Sequence, residues 1–71
     1  MTPSKDLTQN ILTALRNDPH TKDEVIEVVE TAGTVTLSGY VKDVETRERA
    51  EKIARQDSGV LSVINELVVQ A

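Results

Sequence analysis

The chain has 71 residues, a formal net charge of −4 at pH 7, no cysteine and only one aromatic residue, a tyrosine. This length allows one domain, the lack of cysteine excludes disulfides and thiolate metal sites, and the acidity argues against nonspecific nucleic-acid binding. We therefore expect a single domain over residues 1–71, with an aliphatic interior and no nucleic-acid partner.

The sequence contains no signal for membrane insertion or export. No apolar run approaches the roughly 20 residues of a membrane span. Residues 1–20 lack the basic start and apolar middle of a secretory signal peptide. We expect no transmembrane segment, and a cytoplasmic protein if the chain is full length; otherwise the chain is a mature or excised domain.

The first predicted element is a helix over about residues 3–17. Thr2 suits the N-cap, Pro3 the first helical position, and Asp6 the positive end of the helix dipole. Asp18-Pro19 ends the helix, because proline disfavours helical geometry in the residue before it. Apolar residues at helical spacing form one stripe, which comprises Leu7, Ile11, Ala14 and Leu15.

A strand is predicted over residues 24–30, which are rich in β-branched side chains. We assign Ile26 and Val28 to the core, because this phase places Glu30 near the end of the strand, where it can reach solvent. A hairpin turn follows, in which Gly33 can take the positive φ that a tight turn needs.

The second strand, over residues 33–41, organises the rest of the chain. Gly39 interrupts it where a bulge or a close neighbour would require a residue without a side chain. Its apolar residues alternate with polar ones and predict one buried face, which comprises Val35, Leu37 and Val41.

A second helix and a third strand complete the chain. Asp43 is the predicted N-cap, and Gly59 suits the left-handed residue that ends many helices. The buried stripe of this helix comprises Thr46, Ala50, Ile53 and Ala54. The strand over about residues 62–69 places Val63, Leu67 and Val69 on its inner face, with Asn65 among them.

The order of elements predicts an α+β fold, αββαβ, with two helices packed on one face of a small three-stranded mixed sheet. The two strands that flank the second helix would form a parallel β-α-β unit. Two helices can cover only one face of such a sheet, so the other face is expected to be free.

Several motifs agree in order with one family. They are Val35-Thr-Leu-Ser-Gly39 with Val41, Ala50 with Ile53-Ala54, Gly59-Val60, and Val63-x-Asn65-x-Leu67. Together with Ile11 and Ala14-Leu15 ahead of Asp18-Pro19, this pattern resembles the BON domain (the bacterial osmotic-shock protein and nodulation family) over about residues 6–69.

The resemblance implies an αββαβ fold and a place in the bacterial cell envelope or periplasm, often in proteins of osmotic stress. It implies a role in binding phospholipid or another envelope component, without catalysis. A cytoplasmic member of the family binds potassium. The matching glycines, Gly39 and Gly59, are expected to serve backbone geometry.

No catalytic residue, cofactor or metal site is predicted. The sequence has one histidine, no Gly-x-Ser-x-Gly elbow and no phosphate loop. His20 lies near Asp18, Asp23 and Glu24, which could ligate a metal. We favour a solvated loop, because an ordered metal site also needs groups that orient its ligands.

The second helix carries Arg47, Arg49, Lys52 and Arg55, which could suggest a basic face for lipid headgroups. Three glutamates are interleaved at i,i+4 spacing, in the pairs Glu45–Arg49, Glu48–Lys52 and Glu51–Arg55. We favour a neutralised, solvent-exposed face. We also favour a structural role for Asn65, because a buried amide requires hydrogen-bond partners.

The most informative surface is the sheet face that no helix covers. We predict that it carries a set of exposed apolar side chains, Val25, Val29, Tyr40, Ile64 and Val68. This face either docks on a partner domain, a second copy or lipid acyl chains, or reflects only high strand propensity with partial shielding by neighbouring polar residues.

The expected function is a non-enzymatic binding module, with phospholipid or an envelope protein as its partner. Two alternatives stay open. One is a potassium-sensing module that uses loop carbonyls, since hard cations prefer oxygen ligands. The other is a structural domain that forms homo-oligomers through the uncovered sheet face.

Overall fold

The computed structural model describes residues 3–70, and side chains within residues 7–70. Its elements are α1 (Pro3–Asn17), β1 (Ile26–Thr31), β2 (Thr34–Val41), α2 (Val44–Arg55) and β3 (Ser62–Val69). This is the predicted αββαβ order. The predicted N-cap Thr2 and the side chain of Asp6 lie outside the described residues.

The three strands form one mixed sheet in the order β1-β2-β3. β1 pairs with β2 antiparallel through a hairpin, and β2 pairs with β3 parallel. Because α2 connects the two parallel strands, the predicted β-α-β unit is confirmed. β1 begins two residues later than predicted, since the backbone N–H of Glu24 is used by a turn and donates to Thr21 O at 3.0 Å.

The buried interior is mainly aliphatic, with Asp18, Thr21 and Thr46 as buried polar residues. The stripe of α1 and the stripe of α2 pack on the inner face of the sheet, and Ile26 and Val28 contribute from β1 as predicted. Val35 and Leu37 are fully buried in the central strand. Val69 shares the predicted inward phase but is exposed, because it is the last residue of an edge strand.

The hairpin turn uses two residues with positive φ, Ala32 at 51° and Gly33 at 86°. This geometry matches the type I′ turn, whose twist fits the twist of the strands it joins. The predicted positive φ of Gly33 is therefore confirmed, while the unfavourable positive φ of Ala32 was not predicted. The backbone N–H of Gly33 donates to Glu30 Oε2 at 2.6 Å, which ties the turn to β1.

Gly39 lies opposite Ile26 at the start of β1. Its φ is +129°, and a Cβ atom built there would lie 2.6 Å from the carbonyl oxygen of Val25. Both the backbone conformation and the space exclude an ordinary side chain. The predicted close neighbour of Gly39 is thus a backbone carbonyl.

The two ends of α2 differ in how well they were predicted. Asp43 is the N-cap, and its Oδ1 accepts from the Thr46 N–H at 2.7 Å. At the other end the prediction for Gly59 was wrong. The cap residue is Gln56, in the right-handed region, and the chain then turns through a bond from Gly59 N–H to Asp57 Oδ1. This aspartate turn replaces a left-handed glycine.

Candidate functional site

The candidate site is the outer face, by which we mean the sheet face that points away from both helices. Strand register places its side chains in rows that run across the sheet. Val29, Thr36 and Ile64 form the first apolar row. Glu27, Ser38 and Glu66 form the acidic row. Tyr40 and Val68 form the second apolar row, and Val25 lies just before β1 at the same end.

All five apolar residues predicted for this face are exposed, with between 47% and 87% of their surface accessible. The structure therefore brings the predicted set onto one uncovered face. It also divides the set, because the acidic row separates Val29 and Ile64 from Tyr40 and Val68. Partial shielding by Glu27 and Glu66 was one of the two interpretations of this face that the sequence left open.

The acidic row spans the sheet. Glu27 and Glu66 are on the two edge strands, and Ser38 lies between them on β2. Since neighbouring strands lie about 5 Å apart, the two glutamate backbones are separated by roughly 10 Å. The pair Ser38 Oγ and Glu27 Oε1 is 3.2 Å apart and forms a hydrogen bond. None of the strand residues on the outer face is lysine or arginine.

An open groove continues the outer face beyond the acidic row. Val25, Gly39 and Tyr40 line it, together with the carboxylate-bearing residues Asp23, Glu24 and Glu27. Tyr40 is 61% exposed, so its ring is available to a ligand. The groove therefore combines an aromatic ring and an apolar side chain with several negative charges.

Leu61 is an exposed apolar residue that sequence analysis missed. It precedes β3 and is 80% exposed, and its side chain lies over Gly33 at the hairpin turn. Its backbone N–H donates to Gly33 O at 2.8 Å. The only sequence signal was a large apolar residue next to the predicted strand, which does not distinguish burial from exposure.

Asn65 has the structural role that was predicted. Its Nδ2 donates to Arg47 O at 3.0 Å and to Glu51 Oε1 at 3.2 Å, and its Oδ1 accepts from Leu67 N–H at 3.1 Å. The amide thus ties β3 to α2.

The free edge of β3 is closed at Leu67. Gln70 N–H bonds to Val41 O, so by the alternation of a parallel ladder the backbone groups of Leu67 point to the free edge. There the N–H is bonded by Asn65, and the C=O accepts from Arg47 Nε at 3.1 Å. An open edge would be a template for strand addition. This closure favours the outer face over the β3 edge as a binding surface.

The charges of α2 form only part of the predicted pattern. Arg55 and Glu51 form an i,i+4 ion pair at 2.8 Å. Arg49 does not pair with Glu45; its Nε donates instead to Asp18 Oδ2 at 2.7 Å. Ion pairs between exposed side chains contribute little to stability. Asp18 is buried, so its carboxylate is a stronger partner for Arg49 than the exposed carboxylate of Glu45.

Asp18 acts as a link between elements. It also accepts from the backbone N–H of His20 at 2.9 Å. Burial alone would raise the pKa of Asp18, but the hydrogen bonds from Arg49 and His20 outweigh it and hold the pKa below its ordinary value. Within residues 3–70, no group of three His, Cys, Asp or Glu residues is arranged to hold a metal ion.

Stability is expected to fall in acid, because Asp18, Asp43 and Glu51 have lowered pKa values in the folded state. A lowered pKa stabilises the fold above the unfolded-state pKa, which is about 4, and this contribution is lost as the pH falls further. Urea midpoints measured from pH 7 to pH 2 should therefore drop mainly below about pH 5.

Arg49→Gln tests whether the lowered pKa of Asp18 contributes to this acid destabilisation, since the substitution removes the ion-pair partner of Asp18. We expect a smaller loss of stability between pH 6 and pH 2 in Arg49→Gln than in the unaltered protein. Arg16→Gln, at an exposed position on α1, is the control and should keep the original pH profile. Equal profiles for all three proteins would contradict a role for the Asp18–Arg49 bond.

No helix among the described residues is both long enough and apolar enough to cross a membrane. A family model described as the BON domain matches residues 3–71, essentially the whole chain, which confirms the resemblance inferred from sequence motifs. No curated protein matches the chain.

Proposed function

This chain belongs to the BON domain family, and on that premise we propose that it is a non-catalytic binding domain that associates with a component of the bacterial envelope through its outer face. Phospholipid binding in the envelope is the property ascribed to the family. The contact surface of this chain comprises the first apolar row, the acidic row and the second apolar row.

The observation that carries the proposal is an uncovered sheet face bearing five exposed apolar side chains. Single apolar residues on a surface are common, but several on one flat face mark a surface that another molecule covers. The helices occupy the opposite face of the sheet, and the β3 edge is closed at Leu67. The outer face is therefore left uncovered and available for contact.

Phospholipid is one candidate for the bound component, and family membership favours it. Ile64, Val68 and Leu61 could contact acyl chains. The acidic row opposes this, since carboxylates that leave water without a partner cost free energy. An envelope protein is the other candidate, and it can supply groups that pair with Glu27 and Glu66.

Photo-crosslinking in bacterial cells tests the proposal. A benzophenone amino acid is placed at Val29 or Ile64, in the first apolar row, and the chain is exported with an added signal sequence. The controls carry it at Glu45 or Glu48, exposed positions on α2.

We expect adducts from Val29 and Ile64 and few from the controls, with the added mass distinguishing lipid from protein. Adducts that form equally from both surfaces, or only from α2, would contradict a binding role for the outer face.

A further inference from the structure

The acidic row determines what the outer face can bind. It lies between the first and second apolar rows, so a ligand that contacts both apolar rows must also cover Glu27 and Glu66. Both glutamates are solvated while the face is free, because both side chains are exposed. Covering the face removes that water, and the ligand has to replace it.

Four kinds of ligand differ in how they would interact with the acidic row. An anionic lipid surface would be repelled by it. A second copy placed face to face would bring an identical row, and no strand residue of the outer face offers a cation to neutralise it. Acyl chains would leave both carboxylates desolvated and without a cationic partner, which is strongly unfavourable. A cationic side chain would instead form charge-assisted hydrogen bonds with them.

We infer, on the basis of the proposed function, that the outer face binds a protein segment in which arginine or lysine is flanked by apolar residues. The cation lies above Ser38, between Glu27 and Glu66, while its apolar neighbours contact the two apolar rows. Since the glutamate backbones are about 10 Å apart across the sheet, one guanidinium or ammonium group between them lies within reach of both side chains.

The groove at the end of the outer face, like the acidic row, combines acidic residues with neighbouring apolar side chains. Asp23, Glu24 and Glu27 line this groove together with Tyr40, whose ring is exposed. A cation over an aromatic face is attracted by the ring quadrupole, and nearby carboxylates strengthen that preference. A second basic residue of the partner segment would occupy this groove.

None of the strand residues on the outer face carries the complementary positive charge, and four of the eight basic residues of the chain lie on α2. These four are Arg47, Arg49, Lys52 and Arg55. Arg47 is already bonded to β3, and Arg49 is bonded to Asp18 in the loop after α1. Glutamates are interleaved among these bases. The surface of α2 is therefore a poor match for the acidic row of a second copy, and this favours a segment of a different protein as the occupant.

The test is a selection of random 12-residue peptides displayed on phage, with the immobilised 71-residue chain as the target. The best peptides are then synthesised and titrated against the chain, against Glu27→Gln/Glu66→Gln, and against Glu45→Gln/Glu48→Gln. The last variant loses the same charge from exposed positions of α2 and is the matched control. Circular dichroism verifies that both variants are folded.

We expect selected peptides to be rich in arginine or lysine next to apolar residues. Their affinity should fall on the order of tenfold in Glu27→Gln/Glu66→Gln and remain unchanged in the control. It should also weaken with added salt, as charge pairing requires. No basic enrichment, or equal affinity for the chain and Glu27→Gln/Glu66→Gln, would overturn the inference.

Failure of this inference can be separated from failure of the proposed function with Ile64→Lys and with phosphatidylglycerol vesicles. One outcome would overturn the cationic partner and leave the outer face as the site. In it, uncharged peptides or phosphatidylglycerol vesicles bind the chain and Glu27→Gln/Glu66→Gln equally well, but do not bind Ile64→Lys. Ligands that bind Ile64→Lys as tightly as the unaltered chain would overturn both.

Discussion

Leu37→Ala is expected to remove most or all of the stability of the fold. Leu37 is 0% exposed, lies in the central strand, and is paired with Val28 on β1 and Asn65 on β3. Truncating a buried leucine costs about 2–5 kcal/mol through lost burial and the cavity left behind. A domain of this size has a net stability of only a few kcal/mol. Urea denaturation followed by circular dichroism measures the loss.

Leu61→Ala is the matched control, since it makes the same change at a leucine that is 80% exposed. Substitutions at exposed positions usually change stability by less than about 0.5 kcal/mol. If Leu37→Ala and Leu61→Ala had similar urea midpoints, the central strand would not be the core of this protein.

Gly39→Ala is the second substitution with a large expected effect. The added Cβ would lie 2.6 Å from Val25 O, and a φ of +129° is strained for any residue with a side chain. Holding such a conformation costs on the order of 1–3 kcal/mol, and the contact with a backbone atom cannot be relieved by a side-chain rotation. We therefore expect a lower urea midpoint and faster amide exchange at the start of β1.

Gly59→Ala provides the comparison. A Cβ there would lie 3.3 Å from Leu7 Cδ1, the end of a flexible side chain, and Gly59 does not have a positive φ. We expect this variant to remain close to the unaltered protein in stability. Equal destabilisation by Gly39→Ala and Gly59→Ala would show that the close approach of Val25 O to Gly39 does not constrain the fold.

The parts of the fold that were predicted correctly depend on local signals. Alternation in residues 34–41 identified the buried face of β2, and the N-cap side chain of Asp43 identified the start of α2. The phase of β1 followed from the position of Glu30 near the hairpin. Each of these signals lies within a few residues of the feature it predicts.

The end of α2 shows where a local signal was insufficient. Glycine suits the left-handed residue that ends many helices. Here the side chain of Asp57 accepts a hydrogen bond from Gly59 N–H, and the chain turns without a left-handed residue at Gly59. Similarly, Glu45 and Arg49 have favourable spacing on the helix, but Asp18 offers Arg49 a better partner from another element. Competition between local and distant partners is not visible in a sequence.

The candidate site was predicted as a set of residues, and its arrangement was not. The apolar members could be assigned to the outer face by alternation alone. The acidic row could not be derived in this way, because it requires the register of Glu27 with Ser38 and of Ser38 with Glu66. Register across a β-α-β connection depends on how α2 packs, which is a property of the whole fold.

The central claim is that the outer face is the binding surface of this domain. NMR measurement of the amide chemical shifts of the chain tests it most directly. Separate titrations use an arginine-containing apolar peptide, phosphatidylglycerol micelles, and potassium against sodium. We predict that the peptide shifts or broadens amides clustered at Val29, Ser38, Tyr40, Ile64 and Val68. Shifts confined to loop amides with potassium, or to α1 and α2 with any of the probes, would contradict the claim.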